Sequence, residues 1–382
     1  DLMLAFQSRL EYAVNKNNLK TMFNVTDIPK STQLRDVLDE VEPFELETIF
    51  HDFFKPLQRG KHLDLFRFLD DQYLISIDGT QYFYSEKISC PHCLRKKAKN
   101  GRAYYHQIMA ASMVCPGIRQ IIPMAPEPIA NTDGATKQDC EINAAKRLIP
   151  KIRRTHPKLN IIITADSLHS KQPLVELLKD HDMSFIIVAK PSDHKTLYQW
   201  FSEFKAMGEI QCLQYQDKQG RTHVYQWYNG LPLNDSHQGP VINYVEYSIL
   251  KGSRRNYHNS WITDIVISKN NVEDIVKGGR SRWKIENEAF NTLKNQGYHM
   301  EHNFGHGDKA LSYNLLLFNF LAFFMHQIFE LTDPLYQKCR QGFTSRKEYW
   351  NQLRCTIRIY VFPSWESFIN TIIDPEQGLP PP

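Results

Sequence analysis

The order of strand-like and helix-like patterns between residues 73 and 189 constrains the fold of this chain most. Three strand patterns come first, and helix and strand patterns then alternate. This order predicts a mixed sheet with helices packed on its faces. The predicted elements are strands from Tyr73 to Thr80, Tyr104 to Val114 and Ile118 to Met124, a helix from Lys137 to Arg154, a strand from Ile161 to Ala165, a helix from Gln172 to Lys179, and a strand from Phe185 to Ala189.

This order is the ribonuclease-H-like arrangement, so the predicted fold class is α/β. The first strand carries Asp78 near its end and is expected at the centre of the sheet, beside the strand that ends in Asp166. Both carboxylates would then meet at one edge. A carboxylate removed from water needs a compensating cation or hydrogen bonds, which makes the two aspartates candidate metal ligands. The alternative for Asp78 is an acidic residue that starts a turn before Gly79.

The changes of pattern predict five regions along the chain. They are a helical N-terminal region with possible DNA binding (1–69), the first part of the ribonuclease-H-like domain (70–191), a β-rich insertion (192–270), an acid-bearing helix with the completion of the core (271–335), and a helical C-terminal region (336–382). One apolar stretch, from Ala310 to Leu331, is nearly long enough to span a membrane. Polar residues such as Asn314 and Asn319 interrupt it, which favours a buried core helix.

The acid-bearing helix, predicted from Val272 to Asn295 with a possible break at Gly278-Gly279, offers two glutamates. With a rotation of roughly 100° per residue, Glu286 falls within the apolar arc that also carries Trp283. Glu288 falls on the opposite, solvent-facing side. A glutamate on the core-facing side needs a cation, so Glu286 is the expected third acid.

Three short motifs now stand in order: Ser-Ile-Asp78-Gly-Thr, Thr-Ala-Asp166-Ser, and Arg282-Trp-Lys-Ile-Glu286 with Phe290 and Lys294 after it. Together they resemble DDE transposases of bacterial insertion sequences, in the cut-and-paste branch that carries a Tyr-Arg-Glu-Lys signature. Two positions depart from that signature. Gly279 stands where the tyrosine is expected, and Lys294 lies one place later than the expected lysine.

The resemblance implies a transposase that cleaves DNA at the ends of an element and transfers the strand to target DNA. It implies Mg²⁺ or Mn²⁺, as two ions held by Asp78, Asp166 and Glu286. It also implies terminal-repeat and target double-stranded DNA as partners, a homodimer on that DNA, no membrane, and a bacterial, cytoplasmic location. The residues expected to contact DNA are Arg280, Arg282, Lys284, Lys294 and Trp261, the last as a platform for an extruded base. The alternative for Trp261 is a strand tryptophan that packs inside the insertion.

The overall charge neither requires nor excludes a nucleic-acid partner, since the formal net charge is +4 and the pI is about 8.5. Cations nevertheless cluster between residues 277 and 284, near the third acid, which favours phosphate contacts. Two alternatives remain open from the sequence. One is a metal-dependent nuclease of the same fold that does not join strands, and the other is a DNA-binding relic of a transposase without catalysis.

The seven cysteines do not form the pattern of a secreted disulfide framework. Cys90-Pro-His-Cys93 suggests zinc, which requires four ligands at a structural site. His106, Cys115 and Cys140 are candidates to complete it, and the set expected is Cys90, Cys93, His106 and Cys140. The alternative is a pair of reduced thiols. A group of histidines, His299, His302 and His306, follows the acid-bearing helix and predicts either contacts with DNA or acids or ordinary loop polarity.

Overall fold

The computed structural model describes residues 8, 11, 13–27, 29–99, 101–131, 138–235, 239–252 and 254–378. Within these residues the chain forms one mixed sheet covered by helices. The strands are β1 Arg67–Phe68, β2 Gln72–Ser85, β3 Leu94–Ala98, β4 Gly101–Val114, β5 Ile122–Pro123, β6 Glu127–Ile129, β7 Ile161–Ala165, β8 Ser184–Val188, β9 Gln211–Gln216, β10 Thr222–Pro232, β11 Val241–Lys251 and β12 Arg254–Thr263.

Strand β2 lies near the middle of the sheet, in the order β3-β4-β2-β7-β8-β12-β11-β10-β9. It pairs antiparallel with β4 and parallel with β7, and β7 pairs parallel with β8. Its side chains at Leu74, Ile75 and Ile77 are fully buried. A continuous apolar run fits a strand that is covered on both faces. The predicted fold class, a ribonuclease-H-like α/β sheet flanked by helices, is confirmed.

The third predicted strand, from Ile118 to Met124, is wrong in its extent. Only the short strands β5 and β6 pair with β4 in this region. Prolines at 123, 126 and 128 explain the interruption, because proline has no N–H to donate to a strand ladder. The helix predicted from Lys137 begins at Glu141 in the structure, and residue 137 lies outside the described residues.

The predicted insertion extends the same sheet. Strand β12 pairs antiparallel with β8 through Trp261, Ile262 and Thr263, and β11, β10 and β9 follow outward. The sequence prediction missed β9 and a helix, Lys195–Met207, that precedes it. Hairpin pairing along the chain builds these added strands, whereas helices connect the parallel strands of the core.

The helices are α1 Ala13–Phe23, α2 Ser31–Glu40, α3 Pro43–Arg59, α4 Glu141–Thr155, α5 Gln172–Asp180, α6 Lys195–Met207, α7 Val272–Arg280, α8 Asn291–Asn295, α9 Leu311–Thr332, α10 Pro334–Gln341, α11 Arg346–Ile359, α12 Trp365–Ile373 and α13 Pro375–Gly378. A π-helical segment, Ile285–Phe290, precedes α8, and 3₁₀ turns cover His62–Phe66 and Ser167–His169.

Helix α9 is, within the described residues, the helix whose length and composition would allow it to span a membrane. Its Phe320 and Phe324 are fully buried in the main core of the protein. The buried Asn314 donates from Nδ2 to the carbonyl oxygens of Leu38 and Val41, at 2.8 and 2.7 Å. These contacts fix α9 against the N-terminal helices, as expected for a core helix.

Candidate active site

Asp78 and Asp166 lie side by side because of the register between β2 and β7. The last registered pair of these parallel strands is Ser76 with Thr164, and each aspartate follows that pair by two residues. The carboxyl ends of adjacent parallel strands are where open α/β sheets place their ligand sites. The backbone N–H of Gly79 donates to Asp78 Oδ1 at 2.9 Å. The pairing of β2 with β7 therefore places the two aspartates next to each other, as the order of the elements in the sequence predicted.

Glu286 reaches the same edge of the sheet from the helical segment after β12. Arg282 joins it to Asp78, since the guanidinium Nη1 donates to Glu286 Oε1 at 2.6 Å and to Asp78 Oδ2 at 3.2 Å. Ser76 Oγ also donates to the backbone carbonyl of Arg282 at 3.1 Å, which ties the start of the helical segment to β2. The buried Arg282 is thus the cation that the two acids share.

The surroundings of Asp78 change its pKa. Burial, above all, together with the hydrogen bond to Glu286 and the charges of Glu286 and Asp166, raises the pKa of Asp78 to about 7 against the opposing effect of Arg282. A second carboxylate close by disfavours the ionised form of the first. Asp78 therefore lies where negative charge accumulates and where a cation would be stabilising.

The helical segment that carries Glu286 is wound more loosely than an α-helix. Residues 285–290 form a π-helix, so the 100° rotation assumed from the sequence does not apply there. Trp283 is 52% exposed and does not belong to the buried face. Glu288 does not face open solvent either, because its Oε2 lies 3.3 Å from Arg119 and 3.6 Å from the buried Arg346. The rotational argument was wrong in these details, although it selected the glutamate that meets Asp78. π turns inside helices frequently mark functional sites.

Trp261 is a core residue, and its predicted role as a base platform is wrong for this structure. The side chain is 0% exposed on β12, so neither face of the indole can stack on a base. A Cβ on Gly279 would lie 2.6 Å from the indole Cδ1. The indole therefore fills the space that any residue larger than glycine would need at position 279.

Glu141 is a fourth acid at the site, and the sequence reasoning missed it. It begins α4, and its carboxylate packs over Gly79, where a Cβ would overlap it. Gln107 on β4 donates to its Oε1. Burial and the charge of Asp166 raise the pKa of Glu141. No motif marks this residue in the sequence, since only the packing of α4 against the sheet brings it to Gly79.

Asp166 caps the short turn that follows β7. Its Oδ1 accepts from the backbone N–H of Leu168 at 3.0 Å. The ring of His169 is buried, and its Nε2 lies 3.9 Å from the same oxygen. Burial lowers the pKa of His169, which favours a neutral ring next to the acid.

The predicted DNA-contacting cations lie in three different environments. Arg280 is exposed, with its guanidinium 5.0 Å from the ring centre of Tyr257. Lys284 donates from Nζ to the carbonyl of Ile118 at 2.6 Å, and Lys294 pairs with Glu301 at 2.9 Å. Arg280 is therefore the member of this set that is best placed to meet a polyanion, beside the buried Arg282.

The donor set of the three acids fits a hard divalent cation, because it consists of carboxylate oxygens. Among the described residues, the group of His, Cys, Asp or Glu side chains whose ligand atoms all lie within 4.8 Å of one another is a different one. The guanidinium of Arg282 lies between two of the acids instead.

That other group consists of Cys90, Cys93, His106 and His306. The expected fourth ligand, Cys140, is wrong, because it is exposed at the start of α4 and is not in the group. Cys115 is also outside it. Hydrogen bonding with the thiol of Cys90 is the main cause that lowers the pKa of Cys93 to about 7.

The fold and the site define a ribonuclease-H-like α/β protein in which Asp166 follows the end of β7 and Asp78 lies on β2, just beyond its parallel pairing with β7. No family model matches the chain, and no curated protein matches it. Among solved structures it is similar to piggyBac transposase, in a cryo-EM structure of the synaptic complex with hairpin DNA. That match has 13% sequence identity and a TM-score of 0.37, and it covers 99% of this chain and 72% of that chain.

Proposed function

We propose that this chain is a DDE transposase that cleaves DNA at the ends of a mobile element and joins the freed ends to target DNA. The observation that carries the proposal is the meeting of acids from three separate elements. Asp78 and Asp166 follow the last registered pair of β2 and β7, and Glu286 shares Arg282 with Asp78. Three such acids are the ligands that two-metal phosphoryl transfer uses.

Asp78, Asp166 and Glu286 would hold Mg²⁺ or Mn²⁺ as two ions. Such ions, when bound, would activate the attacking oxygen and stabilise the leaving oxygen in an in-line displacement. The raised pKa of Asp78 supports this assignment, because burial first and the neighbouring acids second disfavour its ionised form, which a divalent cation would stabilise. Glu141 lies close enough to Asp166 to add to the same negative field.

In this proposal Arg282 has two roles that depend on the metal. Without it, the guanidinium neutralises Asp78 and Glu286. With a cation bound to these acids, the guanidinium would be available to a phosphate, for which its planar fork is well suited. The exposed Arg280 and Trp283 flank Arg282 on the same segment and would contact the DNA backbone and an unpaired base, respectively.

The partners in this proposal are the terminal repeats of the element and the target DNA, with two copies of the chain bound to paired ends. The site of action is the DNA in the cytoplasm of a bacterial cell. Pairing two ends requires at least two active sites, so a dimer on DNA is part of the proposal. Terminal repeats would flank the gene that encodes the chain.

The test is a cleavage and joining assay with DNA that carries those flanking repeats, in Mg²⁺ and in Mn²⁺. We expect cleaved and joined products with the unmodified chain and none with Asp78→Asn. The control is Asp52→Asn, which changes an exposed aspartate on α3 that pairs with Lys55 on the surface and should retain activity. Cleavage without joining would replace the proposal with a nuclease. Equal products from the unmodified chain and Asp78→Asn, or binding without any products, would overturn it.

A further inference from the structure

Four side chains that the proposed reaction does not use come together at one end of the antiparallel pair formed by β2 and β4, which we call the central hairpin. The Sγ atoms of Cys90 and Cys93 are 3.5 Å apart. His106 Nε2 lies 3.3 Å from the first sulfur and 3.4 Å from the second, and His306 Nε2 lies 3.7 Å from Cys93 Sγ. All four ligand atoms lie within 4.8 Å of one another.

These separations are those of a tetrahedral zinc site. With Zn–S bonds of about 2.3 Å and Zn–N bonds of about 2.0 to 2.1 Å, neighbouring ligand atoms in a tetrahedron are roughly 3.3 to 3.8 Å apart. The measured S–S and S–N separations between 3.3 and 3.7 Å agree with that range. A thiol has a single S–H to donate, so one shared metal ion accounts more directly than hydrogen bonding for the approach of two imidazoles to Cys93 Sγ.

The chemistry of the four groups favours zinc over the ions proposed for the acids. Thiolates and imidazoles select Zn²⁺, whereas Mg²⁺ and Mn²⁺ prefer carboxylates and water. Two thiolates also balance the double positive charge of zinc, and two neutral imidazoles add none. A site of zero net charge suits this location, because Cys93 and His106 are buried and burial penalises an uncompensated charge.

Local structure already holds each ligand in place. The backbone N–H of Cys93 donates to the carbonyl of Cys90 at 3.2 Å, and the N–H of Cys90 points to Cys93 Sγ at 3.4 Å. The ring of Tyr82 stacks on His106 at 5.5 Å. Asn303 Oδ1 lies 3.4 Å from His306 Nδ1, which orients the other nitrogen of that ring toward the sulfurs.

We propose that Cys90, Cys93, His106 and His306 form a structural zinc site that fastens the segment after Glu286 to the central hairpin. Cys90 and Cys93 follow β2, and His106 lies on β4. His306 lies in the connection between α8 and α9, downstream of the π-helical segment. Four protein ligands fill a tetrahedral zinc site and leave no open position for a reacting water, so the role is structural.

The first measurement is metal content by mass spectrometry on the full chain, purified without chelator and dialysed. We expect about one zinc ion per chain, since one four-ligand site is present. Replacement of the ion by Co²⁺ should give the absorption bands of a tetrahedral cobalt site with thiolate ligands. A chain that retains no zinc and gives no such bands with Co²⁺ would overturn the proposal.

Variants of the four residues test whether they bind the zinc ion. Cys93→Ser and His306→Ala should lose most of the bound zinc, while His306→Cys, which keeps four ligands, should retain it. Cys140→Ser is the matched control and should keep the full amount, because Cys140 lies outside the group. Unchanged zinc in both Cys93→Ser and His306→Ala would refute the assignment. These readouts need no DNA, so they stand or fail separately from the proposed transposase activity.

The link to Glu286 has its own test. Removing zinc with a chelator should increase amide hydrogen exchange in residues 296–310, and restoring zinc should reverse the increase. Exchange in β7 and β8, which do not contact the cluster, should change little. An increase spread evenly over the whole chain, or no change in 296–310, would contradict a fastening role.

Discussion

At the scale of single residues, Asp78 carries the clearest electrostatic consequence. Its folded-state pKa of about 7 lies above the usual value of 3.8. The folded chain therefore binds a proton more tightly than the unfolded chain between these two values. The contribution of this group to the free energy of unfolding therefore falls as the pH rises through that window. Above about pH 7 the destabilisation by the buried, ionised carboxylate is complete.

We therefore expect Asp78→Asn to be more stable than the unmodified chain at pH 8, by on the order of 2 kcal/mol. The difference should shrink as the pH falls toward 4, where Asp78 is protonated. Urea unfolding at several pH values measures it. Millimolar Mg²⁺ should stabilise the unmodified chain at pH 8 but not the variant. The exposed Asp52→Asn should show no such pH-dependent gain, and a gain in that control would remove the assignment to the buried site.

A second residue-scale prediction concerns Gly279 and Trp261. Alanine usually stabilises a helix relative to glycine by up to about 1 kcal/mol. Here Gly279→Ala should instead destabilise the chain by about 1 to 3 kcal/mol, because its Cβ would overlap the buried indole. Thermal or urea unfolding measures the change.

A double variant tests whether the indole of Trp261 causes this destabilisation. In the background of Trp261→Phe, which removes part of the indole, Gly279→Ala should cost less than it does alone. Gly342→Ala is the control, because its Cβ would meet only an ordinary contact at 3.4 Å. Equal costs with and without Trp261→Phe would show that the indole is not the obstacle.

At the scale of elements, the π-helical segment gives two neighbouring glutamates different partners. Glu286 meets Arg282 at the acid site, and Glu288 lies between Arg119 and the buried Arg346. A regular α-helix would place these two side chains differently relative to the sheet. Within one turn, this segment therefore directs Glu286 to the candidate active site and Glu288 to an ion pair with Arg346.

We expect Glu286→Gln to change activity and Glu288→Gln to change stability. Glu286→Gln should abolish DNA cleavage and leave the free energy of unfolding nearly unchanged. Glu288→Gln should lower the free energy of unfolding by about 1 kcal/mol, since Arg346 keeps Glu330 as a partner, and should retain cleavage. Parallel unfolding and cleavage assays separate the two. Loss of cleavage in Glu288→Gln with normal folding would reverse the assignment of the third acid.

At the scale of the whole molecule, the sequence predicts the features that depend on local pattern. The apolar run before Asp78 and the alternation that follows it indicated the sheet, its central strand and the adjacent position of Asp166. These follow from strand period and connection rules. Cys90, Cys93 and His106 were also grouped correctly, because they lie close together in the sequence.

The features that the sequence did not predict depend on packing between distant segments. His306 joins Cys93 across 213 residues. Glu141 reaches Gly79 only through the packing of α4 on the sheet. The burial of Trp261 follows from the pairing of β12 with β8, which pattern alone does not specify. The π-helical winding near Glu286 has no simple sequence signal, so a regular rotation misplaced Trp283 and Glu288.

The two ends of the described chain meet in a second, smaller hydrophobic core. This core lies among the C-terminal helices and contains Tyr349, Phe362 and Phe368, separate from the main core. Asn18 on α1 is buried there. Its Nδ2 donates to the carbonyls of Ile357 and Tyr360 at 2.8 and 2.6 Å, and its Oδ1 accepts from the N–H of Phe362 at 2.8 Å.

Asn18→Ala should therefore loosen this smaller core without unfolding the sheet. Three backbone groups would lose their partner, at a cost of about 1 to 3 kcal/mol for each group left buried. We expect faster hydrogen exchange in α1, α11 and α12, and no change in β2 or β7, because local unfolding follows cooperative units. Lys20→Ala, an exposed change on the same helix, should leave exchange unaltered. Faster exchange in β2 and β7 as well would mean that the two cores unfold as one unit.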